Sequence, residues 1–211
     1  WVIFFIPGGN LISSLPVPVV TMCRNMLPFE YKELLNFGFS LTSLRLLVLR
    51  YLQLSSFKKS DGVIFLSDYA RNIVGNMLGK CRTHIKIPHG VNSRFFSVPR
   101  RQVKSLSMNV SFDLIYVSTF DFYKHQIEVV SAVRNINKQY GNIVNLILIG
   151  PDNPTYKDKF DNFLISENLS DSSWLNIVGN VSYDSLHEYY SKADIALFAS
   201  SCENMPNILV E

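Results

Sequence analysis

Residues 143–149 read Ile-Val-Asn-Leu-Ile-Leu-Ile, an apolar run that only Asn145 interrupts and that Gly150 and Pro151 end. A strand with one solvent-exposed face alternates apolar and polar residues, whereas a strand inside a parallel sheet is apolar on both faces. The run also has the length of a strand and is followed by two residues that break regular structure. It therefore predicts a parallel sheet, which requires helices on both of its faces.

Strand-like and helix-like segments alternate along the chain. Between the runs 112–117 and 143–149, for example, Ile127, Val130 and Val133 recur at helical spacing. The predicted strands are residues 2–6, 18–22, 62–66, 85–88, 112–117, 143–149, 175–178 and 194–198, and the predicted helices are residues 68–78, 124–139, 154–167 and 182–191. This order is typical of an α/β fold with parallel sheets covered by helices.

Residues 96–110 lack a clean period and are polar and basic, which indicates a linker. We therefore expect a domain boundary near residue 108, between a domain of residues 1–108 and one of residues 109–211. The chain begins at Trp1 rather than at a methionine and ends at Glu211 within a predicted helical stretch. On that basis we expect both domains to be incomplete.

The composition argues against several other kinds of protein. A net charge of +3 is too small and too dispersed to indicate nucleic-acid binding. The three cysteines form neither a disulfide framework nor a metal-binding spacing, and no Asp-x-Asp motif is present, so we expect no metal and no bound cofactor. No apolar stretch approaches the roughly 20 residues of a membrane span. We expect a cytoplasmic protein.

Glu203 and Glu211 follow the strand-like residues 194–198 and lie eight positions apart. Pro206 suits the first position of a helix, so we expect a helix to begin near residue 205 or 206. The two carboxylates would then lie roughly 10 Å apart, on either side of a helix N-terminus whose free N–H groups suit a diphosphate. One carboxylate could bind sugar hydroxyls and the other ribose hydroxyls. Alternatively, Glu203 only favours a helix N-terminus and Glu211 is a solvated helical glutamate.

Lys124, Gly150, Gly179 and Glu203 each follow a predicted strand. In parallel sheets ligands bind beyond the carboxyl ends of the strands, so these four residues should face one crevice. Lys124 is predicted to open a helix, where a cation opposes the helix dipole, and this placement indicates a bound anion nearby. The alternative is an ordinary exposed lysine.

Several short segments, in a fixed order, match the pattern of a known family. They are residues 59–67 (Lys-Ser-Asp-Gly-Val-Ile-Phe-Leu-Ser), 87–96 (Ile-Pro-His-Gly-Val-Asn-Ser-Arg-Phe-Phe), 116–124 (Tyr-Val-Ser-Thr-Phe-Asp-Phe-Tyr-Lys), 146–150, 178–181 and 189–200, the last running into Glu203 and Glu211. Together they cover most of the chain and resemble the retaining GT-B glycosyltransferases of glycosyltransferase family 4.

The resemblance implies a GT-B fold, in which two Rossmann-like, doubly wound parallel-sheet domains face a cleft. Residues 109–211 would bind a nucleoside-diphosphate sugar, and residues 1–108 would bind a carbohydrate or lipid-linked acceptor. The implied reaction transfers a hexose-type sugar with retention of the anomeric configuration. Without an Asp-x-Asp motif, cations and helix ends rather than a metal would stabilise the leaving diphosphate.

By the same resemblance, Glu203 contacts hydroxyls of the donor sugar and Glu211 contacts the ribose. Lys124 neutralises the diphosphate, and the backbone N–H groups of Asn204 and Met205 help to hold the sugar. The remaining donor-site candidates are Ser118, Thr119, Gly150, Gly179 and Val181.

Ser118 and Thr119 stand where the family often has Gly-Arg. Either a hydroxyl and backbone amides replace the arginine, or another cation reaches in from the first domain, or the donor binds weakly. The missing arginine is also the best argument for a non-catalytic, glycosyltransferase-like binding subunit. A GT-B sugar-nucleotide epimerase is a further alternative. A dinucleotide-dependent oxidoreductase is disfavoured, because no Gly-x-Gly-x-x-Gly follows a predicted strand.

The acceptor-side candidates in the first domain are Arg24, Asn25 and His89. A loop-positioning role is the alternative for Arg24 and Asn25, and a structural role is the alternative for His89. Residues 41–54 are apolar nearly all round, which suits either a buried helix or a helix on a membrane surface. The second alternative fits a lipid-linked acceptor and a location at the inner face of the membrane.

Overall fold

The structure, a computed structural model, describes residues 2–11, 15–79, 83–97 and 110–211. The chain divides into two compact units. The first contains Trp1–Gly90 together with Cys202–Asn207, and the second contains Val91–Ser201 together with Ile208–Glu211. The predicted boundary near residue 108 lies among residues 98–109, outside the described residues, and stays a prediction.

The first unit is built on a parallel sheet, as the sequence predicts. Its strands are β1 (Phe4–Ile6), β2 (Val19–Cys23), β3 (Gly62–Phe65) and β4 (Thr83–Lys86), in the order β1-β2-β3-β4, and its helices are α1 (Tyr31–Asn36), α2 (Leu41–Lys59) and α3 (Asp68–Leu78). Strand β4 does not extend to residue 88 as predicted, because Pro88 has no N–H to donate to a neighbouring strand.

Helix α2 covers the apolar segment 41–54. One face is buried around Leu46 and Phe57, whereas Leu44 and Tyr51 on another face are 59% and 72% exposed. The expectation of a buried helix therefore holds for one face only. Among the described residues, no helix is both long enough and apolar enough to cross a membrane.

The second unit carries another parallel sheet with helices between its strands. Its strands are β5 (Phe112–Val117), β6 (Val144–Ile149), β7 (Leu175–Gly179) and β8 (Ile195–Ala196), and its helices are α4 (Gln126–Tyr140), α5 (Pro154–Ser166) and α6 (Leu186–Lys192). The strand order is β7-β6-β5-β8. The predicted alternation is confirmed, although β8 pairs only with the middle of β5 and is shorter than the predicted residues 194–198.

Strand β6 is buried on both faces, as its apolar sequence predicts. Leu146 and Leu148 are fully buried on one face, in a cluster with Val130 of α4. Ile149 lies on the other face, in a cluster with Leu186 of α6. Helices therefore cover both faces of this sheet, which makes the second unit doubly wound.

The chain reverses its direction across the second sheet after β7. It runs outward from β5 through β6 to β7, and then returns through α6 to place β8 on the other side of β5. At such a switch point the loops leave neighbouring strands in opposite directions and open a crevice beyond the carboxyl ends of the strands. The loops that follow β5 and β8 are therefore the expected ligand site of this unit.

Candidate functional site

Hydrogen bonds join the loops that follow β5 and β8. Ser201 donates its backbone N–H to the carbonyl oxygen of Tyr123 at 2.9 Å, and the hydroxyl of Ser200 donates to the same oxygen at 3.3 Å. Tyr123 directly precedes Lys124 in the chain. The end of the β8 loop is thereby held next to the predicted phosphate-binding lysine.

Lys124 lies in the short turn Phe122–Lys124, ahead of helix α4. The prediction that it opens the helix is wrong, because His125 adopts a left-handed conformation with φ of 57° and the helix begins after it. Lys124 therefore lies outside the first turn of the helix, and the unfavourable interaction with the helix dipole that suggested a bound anion is lost. The hydroxyl of Tyr116 donates to the carbonyl oxygen of Lys124 at 2.6 Å, and the Lys124 ammonium lies 4.9 Å from the centre of the Tyr123 ring. These contacts fix the backbone of Lys124 and hold its charge over an aromatic face.

Gln126, at the start of α4, fixes the loop that carries Ser118 and Thr119. Only 1% of its surface is exposed, and its Nε2 donates to Ser118 Oγ at 2.9 Å and to the carbonyl oxygen of Thr119 at 2.8 Å. Because a carbonyl can only accept, these bonds also fix the orientation of the amide. Gln126 is not among the residues predicted from the sequence, although its position four residues before the buried Val130 places it on the buried face of the helix.

Gly150 follows β6 and Gly179 is the last residue of β7, at the same edge of the sheet. The N–H of Gly150 donates to the carbonyl oxygen of Gly179 at 2.9 Å, and Gly150 has a φ of 151°, a conformation that favours glycine. A Cβ at position 150 would lie 1.9 Å from the carbonyl oxygen of Ser118. The structure thus brings these three residues together. Val181 instead packs against the core cluster that contains Ile149.

Glu211 lines a cavity of about 400 Å³ in the second unit. The hydroxyl of Tyr183 donates to Glu211 Oε1 at 3.0 Å. Burial, with a smaller contribution from the Glu211 charge, raises the pKa of Tyr190, so this phenol stays protonated. The Tyr190 hydroxyl and His187 Nδ1 are buried and have no hydrogen-bond partner within the described part of the chain. The side chains of Glu211, Tyr190 and His187 therefore line the cavity beside the ring of Phe95, which lies 6.1 Å from that of Tyr190.

The helix predicted to begin near residue 205 or 206 does not form. Residues 205–211 are all described, and of these only Asn207–Leu209 form a single 3-10 turn. The helix N-terminus between the two carboxylates, and the spacing of roughly 10 Å derived from it, therefore have no basis in this structure.

Glu203 lies half-buried in the segment Cys202–Asn207, which belongs to the first unit. Its neighbour Asn204 donates from Nδ2 to the carbonyl oxygen of Cys23 at 2.8 Å and accepts from the hydroxyl of Ser67 at 2.9 Å. Cys23 ends β2, and Ser67 follows β3. The segment that carries Glu203 therefore lies at the carboxyl ends of the strands of the first sheet.

The acceptor-side candidates lie at the same end of the first sheet. The N–H of His89, which follows β4, donates to Sδ of Met205 at 3.4 Å. Asn25 Oδ1 accepts from the N–H of Leu27 at 3.0 Å, which supports the loop-positioning alternative for this residue. Arg24 is exposed.

Metal binding and the reactivity of the Cys23 thiol also bear on the chemistry of the site. No three His, Cys, Asp or Glu side chains among the described residues are placed to hold a metal ion together. Burial raises the pKa of the Cys23 thiol to about 12. This thiol is therefore neutral at physiological pH and is not a nucleophile.

Comparison with known proteins gives the family. Residues 100–211, just over half of the chain, match the family of glycosyl transferases group 1. The chain belongs to the group 1 glycosyl transferases. No curated protein sequence matches this glycosyl transferase chain.

Solved structures similar to this group 1 glycosyl transferase include two sugar-phosphate synthases. The sucrose-phosphate synthase of Thermosynechococcus elongatus superimposes with a TM-score of 0.67 at 19% identity, over 91% of this chain and 47% of that protein. The α,α-trehalose 6-phosphate synthase of Burkholderia multivorans superimposes with a TM-score of 0.63 at 14% identity, over 92% of this chain and 49% of that protein.

The Anabaena protein HepE, in complex with UDP, superimposes with a TM-score of 0.59 at 17% identity, over 88% of this chain and 47% of that protein. The glycosyl transferase chain thus spans about half the length of these similar proteins. The likeness confirms the GT-B fold that the sequence predicts.

Proposed function

We propose that the protein transfers a sugar from a nucleoside-diphosphate sugar to a carbohydrate or lipid-linked acceptor. Membership of the group 1 glycosyl transferases supports sugar transfer as the activity. The proposal rests mainly on the hydrogen bonds of Ser200 and Ser201 to the carbonyl oxygen of Tyr123. These bonds hold the loop after β8 against the loop of Lys124 at the switch point of the second sheet. A cation in such a crevice suits a ligand that carries a diphosphate.

Lys124 would act on the leaving diphosphate. Negative charge on the diphosphate grows as the bond to the sugar breaks, so a nearby ammonium stabilises the transition state more than the ground state. The Ser118 hydroxyl accepts from Gln126 and can still donate its own hydrogen to a phosphate oxygen. This arrangement favours the alternative in which a hydroxyl and backbone amides replace the arginine that the family often has at Thr119.

Glu203 and Glu211 would hold the two sugar rings of the donor. Glu211 lines the cavity in the second unit, and its carboxylate can accept hydrogen bonds from the two hydroxyls of a ribose. Glu203 would accept hydrogen bonds from the transferred sugar. The neighbouring backbone N–H groups of Asn204 and Met205 remain proposed contacts to that sugar.

The proposed transfer retains the anomeric configuration. The bond between the sugar carbon and the diphosphate oxygen breaks, and the acceptor oxygen forms the new bond on the same face of the ring. The leaving phosphate oxygen takes the acceptor proton, so the route needs no nucleophilic side chain. Family resemblance supports this stereochemistry, and NMR of the product anomer tests it.

The exposed apolar face of α2 supports a lipid-linked acceptor and peripheral contact with the inner face of the membrane. Leu44 and Tyr51 lie on this face, and Arg45, Lys58 and Lys59 are exposed on the same helix. Apolar and basic side chains together bind anionic lipid surfaces.

Co-sedimentation of the complete protein with phosphatidylglycerol-containing vesicles tests this contact. Tyr51→Glu should weaken binding, whereas Ile165→Glu, on the similarly exposed Ile165 of α5, should leave it unchanged. Equal effects of the two substitutions would contradict a specific contact through α2.

Thermal unfolding of the complete protein tests the donor. A ligand that binds only the folded state raises the melting temperature, and at 100 times its Kd it stabilises the protein by about 2.7 kcal/mol. UDP-glucose is the first donor to examine, because HepE also forms a complex with it. At least one nucleoside-diphosphate sugar should raise the melting temperature. No shift with UDP-, GDP-, ADP- or dTDP-sugars would contradict the proposed function.

A further inference from the structure

We propose that Asn204 is a positioning residue, which holds Glu203 at the carboxyl ends of the first sheet. The inference rests on the proposed function, in which Glu203 contacts the donor sugar. It goes beyond that function because it assigns the Asn204 side chain to the protein rather than to the substrate. The observation behind it is that this one amide accepts a hydrogen bond from Ser67 and donates to the backbone carbonyls of Cys23 and Arg24.

The hydrogen bonds of the Asn204 side chain fix the orientation of its amide group. Its Nδ2 donates to the carbonyl oxygens of Cys23 at 2.8 Å and Arg24 at 3.4 Å. Because carbonyls only accept, the amino group must face them, and Oδ1 must face Ser67. Ser67 Oγ already accepts from the N–H of Ala70 at 3.1 Å, so its hydroxyl hydrogen is directed to Asn204 Oδ1 at 2.9 Å. Each donor in this chain of bonds thus has an acceptor.

These bonds leave the Asn204 side chain little capacity for a substrate. Nδ2 already donates to backbone carbonyls and Oδ1 already accepts from Ser67, so each polar atom of the side chain has a partner within the protein. The side chain instead connects the end of β2 to the residue that caps α3. A second contact, from the N–H of His89 to Met205 Sδ at 3.4 Å, adds the loop after β4.

Glu203 is positioned by what lies on either side of it. On one side is Cys202, which is 5% exposed, and on the other is Asn204 with its three bonds. Residues at or just after the ends of three adjacent strands, β2, β3 and β4, therefore hold the side chains of Asn204 and Met205 that follow Glu203. A carboxylate that must meet a sugar with small positional error needs support of this kind.

The first test follows the thiol of Cys202 in the complete protein. Asn204→Ala should release the segment and raise the rate at which iodoacetamide labels Cys202 by about tenfold, as read by peptide mass spectrometry. Cys23, in β2, is an internal reference that should stay protected. Asn153→Ala is the matched control, because Asn153 accepts a backbone N–H, that of Thr155, at the start of α5. It should leave the labelling of Cys202 unchanged.

An isosteric variant shows which bonds hold the segment. Asn204→Asp keeps the acceptor for Ser67 but cannot donate to the carbonyls of Cys23 and Arg24. Labelling of Cys202 should be as fast as in Asn204→Ala. Labelling at the wild-type rate in Asn204→Asp would overturn the assignment to the two donated bonds.

The second test asks whether Asn204 acts through Glu203. Release of UDP from UDP-glucose gives kcat and KM for the wild type, Asn204→Ala, Glu203→Gln and the double variant. Asn204→Ala should lower kcat by about tenfold or more while KM changes less than about threefold, and it should have little further effect in the Glu203→Gln background. A merely structural residue would act alike in both backgrounds, and that result would overturn the positioning role.

The two tests separate the failure of this inference from the failure of the proposed function. If the wild type releases no nucleoside diphosphate from any donor sugar, the proposed function fails, and the labelling of Cys202 still decides whether Asn204 holds the segment. If Asn204→Ala leaves the labelling unchanged, the inference is overturned whatever the activity.

Discussion

Gly150 lies directly against the carbonyl oxygen of Ser118, where a Cβ would stand 1.9 Å from that oxygen. The contact joins the carboxyl ends of β5 and β6 beside Lys124 and the loop after β8. The shape of the candidate donor site therefore depends on a residue that has no side chain.

Substitution of Gly150 should accordingly destabilise the protein strongly. Gly150→Ala combines an unfavourable φ with a steric clash against backbone, and it should destabilise the protein by roughly 3 kcal/mol or more. Gly179→Ala is the matched control, because Gly179 also has a positive φ but a Cβ there meets nothing within 4 Å. It should cost about 1–2 kcal/mol, the strain alone. Urea denaturation compares the two, and equal costs would contradict the close approach of the strand ends.

The parts of the fold that depend on local pattern could be predicted from the sequence. Helix α3 spans the predicted residues 68–78, because Ser67 caps it and its apolar residues recur at helical spacing. Strand β6 follows from an apolar run that only burial on both faces explains. The edge of the sheet at which Lys124 and Gly150 lie follows from the parallel order of the strands.

The parts that depend on distant contacts could not be predicted. Ser67 and Asn204 are 137 positions apart, and no local pattern indicates their hydrogen bond. The left-handed conformation of His125 displaces the start of α4, which overturned the dipole argument for Lys124. The helix expected from Pro206 is not observed in residues 206–211, because a proline suited to the first helical position only permits a helix and packing must stabilise it.

Tyr156 predicts a loss of stability in alkali. Burial raises the pKa of this phenol to about 12, above the value of about 10 in the unfolded chain. A raised folded-state pKa stabilises the fold fully below about pH 10, and this contribution is lost as the pH rises through about 12. Tyr156→Phe should lose less stability than the wild type over this range.

Denaturant titrations at pH 8, 10 and 11 measure the effect. At pH 8 the same variant should be less stable by about 1 kcal/mol, because the phenol accepts the N–H of Ile127. Parallel pH profiles for wild type and variant would contradict a buried, neutral Tyr156.

The proposed mechanism predicts activity without a divalent metal. Lys124 and hydrogen-bond donors, rather than a metal ion, would stabilise the leaving diphosphate. The complete enzyme should therefore keep most of its transfer rate in EDTA. Loss of activity that Mn²⁺ or Mg²⁺ restores would show that carboxylates of this protein bind a metal during turnover.

Removal of the Lys124 charge should weaken donor binding and slow transfer. Lys124→Ala should raise the Kd for the nucleoside diphosphate by about tenfold to a hundredfold, the effect of losing one hydrogen bond to a charged group. Lys157→Ala is the matched control, because Lys157 pairs with Asp161 on α5. Calorimetric titration should show near wild-type binding for this control, and a similar value for Lys124→Ala would remove Lys124 from the donor site.

The most direct test of the account is the transfer rate of Glu203→Gln in the complete enzyme. The substitution preserves size and some hydrogen bonding but removes the charge, so kcat should fall by roughly a hundredfold or more. Glu188→Gln, on the exposed Glu188 of α6, should keep the wild-type rate. Thermal unfolding should show both variants folded. A folded Glu203→Gln enzyme with a near wild-type kcat would contradict the assignment of Glu203 to the donor sugar.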